Sequence, residues 1–150
     1  MLSHIDNGKL FEESINSYLH RTKFYVLSNK DIKKKYGIDT TSIDYLIETM
    51  SINICIKYDN SNPCISKINH FIQCVTNVNT RSKRKCIGIY LSKIQLSKNS
   101  LEALMNNNSS SKFFSINHFN EKSIIYELIE LLYSYEIFLY EEDGSCIMLY

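Results

Sequence analysis

The sequence predicts an α/β fold in which helices pack against a mixed β-sheet. Two observations predict it. Segments with helical periodicity alternate along the chain with short strand-like segments, which is the order expected of an α/β sandwich. One strand-like segment, "CIGIYLS" (86–92), is apolar almost throughout, as is typical of a strand covered on both faces.

The first half of the chain predicts one helix and three strands. In "GKLFEESINSYLH" (8–20), Phe11, Ile15 and Leu19 recur on one helical face. A strand "KFYVLS" (23–28) should follow, and then a basic segment "NKDIKKKYG" (29–37) that ends in a glycine turn. The stretch "SIDYLIETMSINICIKYD" (42–59) predicts two strands that fold back on each other as a hairpin.

The second half predicts three helices and two more strands before a closing hairpin. "KINHFIQCVTNV" (67–78) should form a helix capped by Ser66, because its apolar residues recur every three or four positions. After "CIGIYLS" come a helix in "SKNSLEALMNNN" (97–108), a strand in "KFFSIN" (112–117) and a helix in "EKSIIYELIELLYSY" (121–135). Asp143 and Gly144 lie between two apolar runs and predict a hairpin over 136–150.

Length and composition indicate one domain over residues 1–150, with no membrane span. The formal net charge of +1 gives no overall attraction to nucleic acid, so such a function must rest on local charge. The five cysteines contain no CxxC pair and no zinc-finger spacing. We therefore expect reduced thiols, no disulfide-linked partner and, since no signal peptide opens the chain, an intracellular protein.

The predicted hairpin places an acid opposite a base. A loop of two residues (Met50 and Ser51) or of four pairs position 44 with 57, 46 with 55 and 48 with 53. Asp44 and Lys57 would then be neighbours on one face, whereas a three-residue loop would shift the register by one. A partly exposed ion pair, worth about 0–1 kcal/mol, is the simplest explanation of this pairing.

A series of short motifs resembles the core of the PD-(D/E)XK nucleases, in the Mrr-like branch of the restriction-endonuclease-like folds. The motifs are "GKLFEE", "YGIDTTSIDYLIE", "ICIKYD", "SKINHFIQCV" and "CIGIYLSK". They cover a core over about residues 8–105, with a C-terminal helix and hairpin over about 113–150. The resemblance implies a restriction-endonuclease-like three-layer sandwich with a mixed central β-sheet flanked by helices. It also implies DNA as partner and Mg²⁺ or Mn²⁺ as cofactor.

The resemblance assigns roles to individual residues of this chain. Asp44 matches the family's metal-binding aspartate, and Lys57 matches the lysine that orients the attacking water and stabilises charge at the phosphate. Glu12 matches the glutamate of the first helix, which helps to hold a metal-bound water. Phosphodiester cleavage requires these parts: a hard divalent ion, a nucleophilic water and a cation near the developing negative charge.

One position departs from the family pattern. Cys55 stands where the family has Glu, Asp or Gln, two residues before the lysine. A thiol is a poor ligand for Mg²⁺, which prefers oxygen donors. Asp39 or Asp59 could approach from the flanks, and the candidate metal ligands are then Asp44, Glu12 and Asp39.

Two basic tracts, "KKK" (33–35) and "RSKRK" (81–85), predict contacts with DNA phosphates, as does the lysine that follows "CIGIYLS". Solvated loops are the alternative explanation of these tracts. The candidate nucleic-acid-binding residues are Lys33, Lys34, Lys35, Arg81, Lys83, Arg84, Lys85 and Lys93. His70 lies beside Phe71 in a predicted helix, and we expect it to be structural.

These observations leave three functions open. The first is a metal-dependent endonuclease that uses Glu12, Asp44 and Lys57. The second is a catalytically inactive relative that keeps the fold for binding DNA or for assembly with partners. The third is a structural or virion interaction protein that uses the fold only as a scaffold. The Ile-, Asn- and Lys-rich composition fits an AT-rich coding sequence, such as that of a large DNA virus, and says more about the genome than about the function. A homodimer is implied by analogy alone, because two DNA strands must be cut.

Overall fold

The structure is a computed structural model, and it describes residues 24–137. The predicted helix over 8–20 lies outside the described residues, and so does nearly all of the predicted hairpin over 136–150. Within the described part of the chain, no helix combines the length and the apolar character needed to cross a membrane.

The described residues form five strands and four helices. The strands are β1 (Tyr25–Ser28), β2 (Tyr45–Glu48), β3 (Ile52–Asp59), β4 (Lys85–Ser92) and β5 (Lys112–Asn117). The helices are α1 (Asn29–Tyr36), α2 (Ile65–Ser82), α3 (Lys98–Met105) and α4 (Glu121–Ser134), and a short 3-10 turn (Ile38–Thr40) follows α1. All five strands belong to one mixed sheet in the order β1-β2-β3-β4-β5.

The direction of the strands gives the sheet two different ends. β1, β2 and β3 are antiparallel neighbours, whereas β4 and β5 run parallel to β3 and are reached through the crossover helices α2 and α3. The carboxyl ends of β3 and β4 meet where Asp59 pairs with Ser92, and we call this end the carboxyl edge. Their amino ends meet where Ile52 pairs with Lys85, and we call this end the amino edge. Seven residues of strand separate the two edges, about 23 Å at roughly 3.3 Å per residue.

Two buried clusters, one on each face of the sheet, make the protein a three-layer α/β sandwich. On one face, Ile54 and Ile56 of β3 belong to the same cluster as Leu128 of α4. On the other face, Cys55 packs in a cluster with residues of α1, α2 and α3, among them Phe71. The division follows from the pleat, because successive side chains of a strand point to opposite faces. The predicted α/β sandwich with a mixed central sheet is confirmed.

The hairpin of β2 and β3 has the predicted register. Position 46 pairs with 55 and position 48 with 53. The Thr49 N–H donates to the Ile52 carbonyl at 3.0 Å, so Met50 and Ser51 form the loop of two residues. This register was predictable because a slip of one residue would turn the apolar side chains of β3 to the wrong faces.

Two local expectations are corrected. Residues 29–37 were expected only as a basic segment with a glycine turn, but helix α1 occupies 29–36 and Gly37 follows it at φ 110°. Ile32 and Tyr36, one helical turn apart, are both buried, and this packing holds α1 on the sheet. The N-cap of α2 is Cys64 rather than Ser66, and the Cys64 side chain makes no capping hydrogen bond.

Candidate functional site at the carboxyl edge

A cavity of about 370 Å³ opens at the carboxyl edge of the sheet. Strand β3 contributes Lys57 and Asp59 to its wall, and the first two turns of α2 contribute Lys67 and His70. The other wall residues are Thr41, Ser42, Tyr58, Asn60 and Ser61. In open α/β sheets, ligands bind in the crevice outside the carboxyl ends of the strands. This cavity is therefore the candidate functional site.

Asp59 is the acidic residue of the cavity wall, and it is only 4% exposed. Its Oδ2 accepts a hydrogen bond from the Tyr90 hydroxyl at 2.5 Å. Its Oδ1 accepts hydrogen bonds from the Ser61 amide and hydroxyl, both at 3.0 Å, and from Lys67 Nζ at 3.5 Å. The carboxylate is thus fixed in place by donors on both oxygens.

These hydrogen bonds keep Asp59 ionised although it is buried. Burial by itself raises the pKa of Asp59, but the hydrogen bonds from Tyr90 and Ser61 and the charge of Lys67 outweigh it, so the pKa is lowered. Burial and the hydrogen bond to Asp59 both raise the pKa of Tyr90. The phenol therefore stays a neutral donor to a buried anion.

Lys67 ties the loop after β3 to the first turn of α2. Its Nζ donates to Ser61 Oγ at 2.5 Å and to the Asn62 carbonyl at 2.8 Å, in addition to its contact with Asp59. Three acceptors around one ammonium group fix its position at the cavity wall. Binding of an anionic ligand near Lys67 would therefore cost little side-chain conformational entropy, because the ammonium group is already held in place.

Lys57 and His70 differ from Lys67 in having no hydrogen bond or ion pair with another residue of the described ranges. Lys57 shares a face of β3 with Asp59, because alternate residues of a strand point the same way. His70, expected to be a structural residue, has an exposed side chain and lines the cavity. The described residues of the cavity wall include two lysines and one carboxylate, so their formal charges sum to a positive value.

Asp44 lies at the carboxyl edge, one residue before β2. Its backbone N–H donates to the Ile56 carbonyl at 2.9 Å, and its Oδ2 accepts the Tyr58 N–H at 2.7 Å. The carboxylate therefore takes the place of a backbone carbonyl at the end of the β2–β3 ladder. This contact gives Asp44 a structural role, next to a residue of the cavity wall.

Cys55 lies in the core and does not reach the cavity. It is fully buried in the same cluster as Cys74 and Cys86, on the face of the sheet that α2 covers. The hydrogen bond with Cys86 and burial raise the pKa of Cys55 well above its usual value, so the thiol stays neutral. Four cysteines lie in the described part of the chain, and all four are free thiols, as expected.

Of the other two predicted metal ligands, only Asp39 belongs to the described residues, and it does not line the cavity. Glu12 lies outside the described residues. Asp39 forms a two-pronged ion pair with Arg81, whose second nitrogen lies 2.6 Å from Oδ2, and the hydrogen bond with Arg81 lowers the pKa of Asp39. Arg81 is in the last turn of α2, eleven residues and about 16 Å beyond His70 at 1.5 Å per residue.

The donor atoms of the described residues do not fit a magnesium site. Mg²⁺ requires oxygen ligands in near-octahedral array. Among residues 24–137, no three His, Cys, Asp or Glu side chains lie close enough together to hold an ion. Both oxygens of Asp59 already accept hydrogen bonds, and position 55 offers a buried thiol instead of a carboxylate.

Half of the predicted nucleic-acid-binding residues are paired with acids. These ion pairs neutralise much of the charge that the sequence suggested, although exposed pairs contribute little to stability. The pairs are Lys35–Glu48 at 2.9 Å, Arg84–Glu48 at 3.8 Å, Lys93–Glu121 at 3.6 Å and Arg81–Asp39. The other four predicted residues, Lys33, Lys34, Lys83 and Lys85, make no ion pair with a described residue.

The two basic tracts lie at the amino edge, away from the cavity. Lys85 begins β4 there, and Lys35 at the end of α1 reaches Glu48 at the end of β2. Lys57 is five register positions further along β3 than the partner of Lys85, which is about 16 Å. Lys93 follows β4 at the carboxyl edge but lines a separate cavity of about 290 Å³ with His118.

The sequence patterns did not single out Lys67 as a residue of the site and did not place His70 there. The signal that could have found them is their spacing, because residues three apart share one face of a helix. Because α2 connects the parallel strands β3 and β4, its first turns follow the carboxyl end of β3. This connection places Lys67 and His70 at the carboxyl edge.

Neither a protein-family model, nor a curated protein, nor a solved structure matches this chain. The geometry of the carboxyl edge is thus the basis for a functional assignment.

Proposed function

We propose that this protein is a catalytically inactive relative of the restriction-endonuclease-like nucleases and binds the phosphate backbone of DNA at the carboxyl edge. The observation that carries the proposal is the surroundings of Lys57. Lys57 has no partner within the described ranges, and it lines one cavity with Lys67 and His70. Both carboxylate oxygens of Asp59, the acid beside them, already accept hydrogen bonds from Tyr90 and Ser61.

The chemistry of this wall suits a phosphate group. Lysine is a point charge that binds phosphate without demanding a planar, two-pronged geometry. Thr41 and Ser42 line the same cavity, and hydroxyl side chains are common donors to phosphate oxygens. Such contacts position a nucleic acid without reading its sequence, so we expect binding with little sequence preference.

Three observations favour an inactive protein over an active nuclease. Cys55 is in the core at the position where the family has an oxygen ligand. Asp44 uses one carboxylate oxygen to accept a strand amide. Asp59 accepts hydrogen bonds on both oxygens. The mixed sheet and the β2–β3 register are compatible with a general three-layer α/β fold.

The test is DNA binding by the full chain, measured as fluorescence anisotropy of a labelled duplex across a salt series. We expect Lys57→Gln to weaken binding and to lower the slope of log K against log salt by about 0.9, the value for one lost phosphate contact on duplex DNA. The substitution should leave the free energy of unfolding unchanged within about 0.5 kcal/mol, since the side chain is only partly buried and makes no hydrogen bond or ion pair with a described residue.

The matched control is the double variant Lys33→Gln and Lys34→Gln at the other end of the molecule. We expect binding and salt slope to match the wild type. Binding that is lost in this control but kept in Lys57→Gln would move the interface to the amino edge and overturn the proposal. No binding by the wild type at low salt would overturn it as well.

A metal-dependent endonuclease is the second candidate, favoured by one observation. Asp44 and Lys57 both lie at the carboxyl edge, with position 44 next to β2 in the predicted register. The test is incubation of supercoiled plasmid with Mg²⁺ or Mn²⁺. Cleavage that disappears in both Asp44→Asn and Lys57→Gln would establish this candidate in place of the inactive protein.

A further inference from the structure

A second cavity lies at the amino edge, and its volume of about 600 Å³ is within the range of small-molecule sites. It is bounded by the first residues of β3, β4 and β5 and by the loop between α3 and β5. Seven residues of strand, about 23 Å, separate it from the carboxyl edge. It therefore cannot be part of the site already described.

Among the described residues, the wall of this cavity combines two cations with hydroxyl and amide side chains and includes no carboxylate. Lys85 and Lys112 lie on neighbouring strands, two residues apart in register, because Lys112 pairs with Ile87. The loop contributes four polar side chains. They are Asn107, Ser109, Ser110 and Ser111. A wall with two positive charges and no negative one favours an anionic ligand.

Two hydroxyls of the wall are suited to bind such a ligand. Ser111 is 8% exposed, and its Oγ is shielded from solvent and has no hydrogen-bond partner in the described part of the chain. A buried hydroxyl without a partner is costly, and an acceptor on a ligand would remove that cost. Burial raises the pKa of Tyr135, so its phenol also remains a donor at neutral pH.

The rest of the wall is apolar, and an inorganic anion would make no use of apolar contacts. Ile52, Ile87, Met105 and Phe113 line the cavity beside the ring of Tyr135. Met105 is 51% exposed at the end of α3, so part of this apolar surface faces water in the absence of a ligand. Apolar walls with a few convergent polar groups are the usual construction of a site for an organic ligand.

From this combination we infer that the amino-edge cavity binds a mononucleotide. Lys85 and Lys112 bind the phosphate, the serine hydroxyls and Tyr135 supply neutral donors, and Met105 and Ile52 contact the base. The inference is independent of the proposed function, because it uses neither Lys57 nor any other residue of the carboxyl edge.

The test is isothermal titration calorimetry of the full chain with adenosine 5′-monophosphate. We expect saturable binding, weakened roughly tenfold or more by Lys85→Gln and again by Lys112→Gln, as for the loss of a charged hydrogen bond. Lys98→Gln, an exposed lysine of α3 outside the cavity, is the matched control and should bind like the wild type. Lys57→Gln should also bind normally, which separates this site from the carboxyl edge.

Adenosine and inorganic phosphate complete the design as partial ligands. Each should bind at least tenfold more weakly than the nucleotide, because each reaches only one part of the wall. Adenosine that binds as tightly as the nucleotide would exclude a role for the lysines. Inorganic phosphate that binds as tightly as the nucleotide would exclude a role for the apolar wall in binding. A wild-type protein without saturable binding of the nucleotide would overturn the inference outright.

Discussion

Cys55, two residues before Lys57, is fully buried, and this burial prevents it from taking part in chemistry at the carboxyl edge. Cys55 and Lys57 point to the same face of β3, but Cys55 is covered by α2 and packs beside Cys86. A neutral thiol fits this dry environment, whereas a carboxylate would lose its hydration without gaining a cation. The cysteine is therefore better explained by packing than by a remnant of metal binding.

We predict that Cys55→Glu destabilises the protein strongly and does not create metal-dependent cleavage. The new side chain is larger than the space available and brings an unpaired charge into the core. The expected loss is about 3 kcal/mol or more in the free energy of unfolding, measured by urea denaturation followed by circular dichroism.

Cys64→Glu is the control, because Cys64 is the exposed N-cap of α2. It should change the stability by no more than about 0.5 kcal/mol. A stable Cys55→Glu variant that cleaves plasmid with Mg²⁺ would contradict both the structural argument and the proposed inactivity.

At the scale of the elements, β4 depends on a glycine at its centre. Gly88 pairs with Cys55 on one side and with Phe113 on the other. A Cβ built at Gly88 would lie 2.5 Å from the Phe113 ring and 3.1 Å from the ring of Phe71. The absence of a side chain thus lets the two aromatic rings meet edge to face at 6.0 Å between centroids and lets α2 approach the sheet closely.

We predict that Gly88→Ala costs about 1–3 kcal/mol of stability, because the methyl group overpacks a filled core. Combining it with Phe113→Leu, which removes the atoms in the clash, should restore part of the loss. The measurement is a urea double-mutant cycle, with the coupling energy as readout. A Gly88→Ala variant as stable as the wild type would show that the Phe113 ring moves aside at no cost.

At the scale of the molecule, two ionised carboxylates make the free energy of unfolding depend on pH. They are Asp59 at the end of β3 and Asp39 beside Arg81 at the end of α2. The lowered pKa of Asp59, and of Asp39 beside Arg81, means that folding favours the charged carboxylates. A depressed folded-state pKa contributes stability that is present above the unfolded pKa, near 4, and is lost as pH falls through the folded value. The whole protein should therefore lose stability on acidification.

We predict that Tyr90→Phe lowers stability by roughly 1.5–3 kcal/mol at pH 7, since it removes a hydrogen bond to a charged group. The difference from the wild type should shrink at acidic pH, because protonated Asp59 no longer needs the donor to the same degree. Urea denaturation at neutral and acidic pH is the measurement. Tyr126→Phe, a change at a 58% exposed tyrosine, is the control and should show the wild-type pH dependence.

The α/β class and the β2–β3 register were predictable because they depend on local patterns. Alternation of apolar residues along β3 allows one pairing that keeps both faces buried. Helix α1 was not predicted, because only Ile32 and Tyr36 give its eight residues an apolar period, and short helices depend on tertiary packing more than on propensity.

The sequence by itself determined the described elements other than α1, the pairing in the hairpin and the position of Lys57 near the end of β3. The tertiary structure decided which side chains meet there: Lys67 and His70 join Lys57, while Asp39 lies at the far end of α2 with Arg81. It also placed Cys55 inside the core and the basic tracts at the amino edge. The physical reason is that strand and helix periods fix the face on which a residue lies, whereas depth and neighbours follow from how distant segments pack.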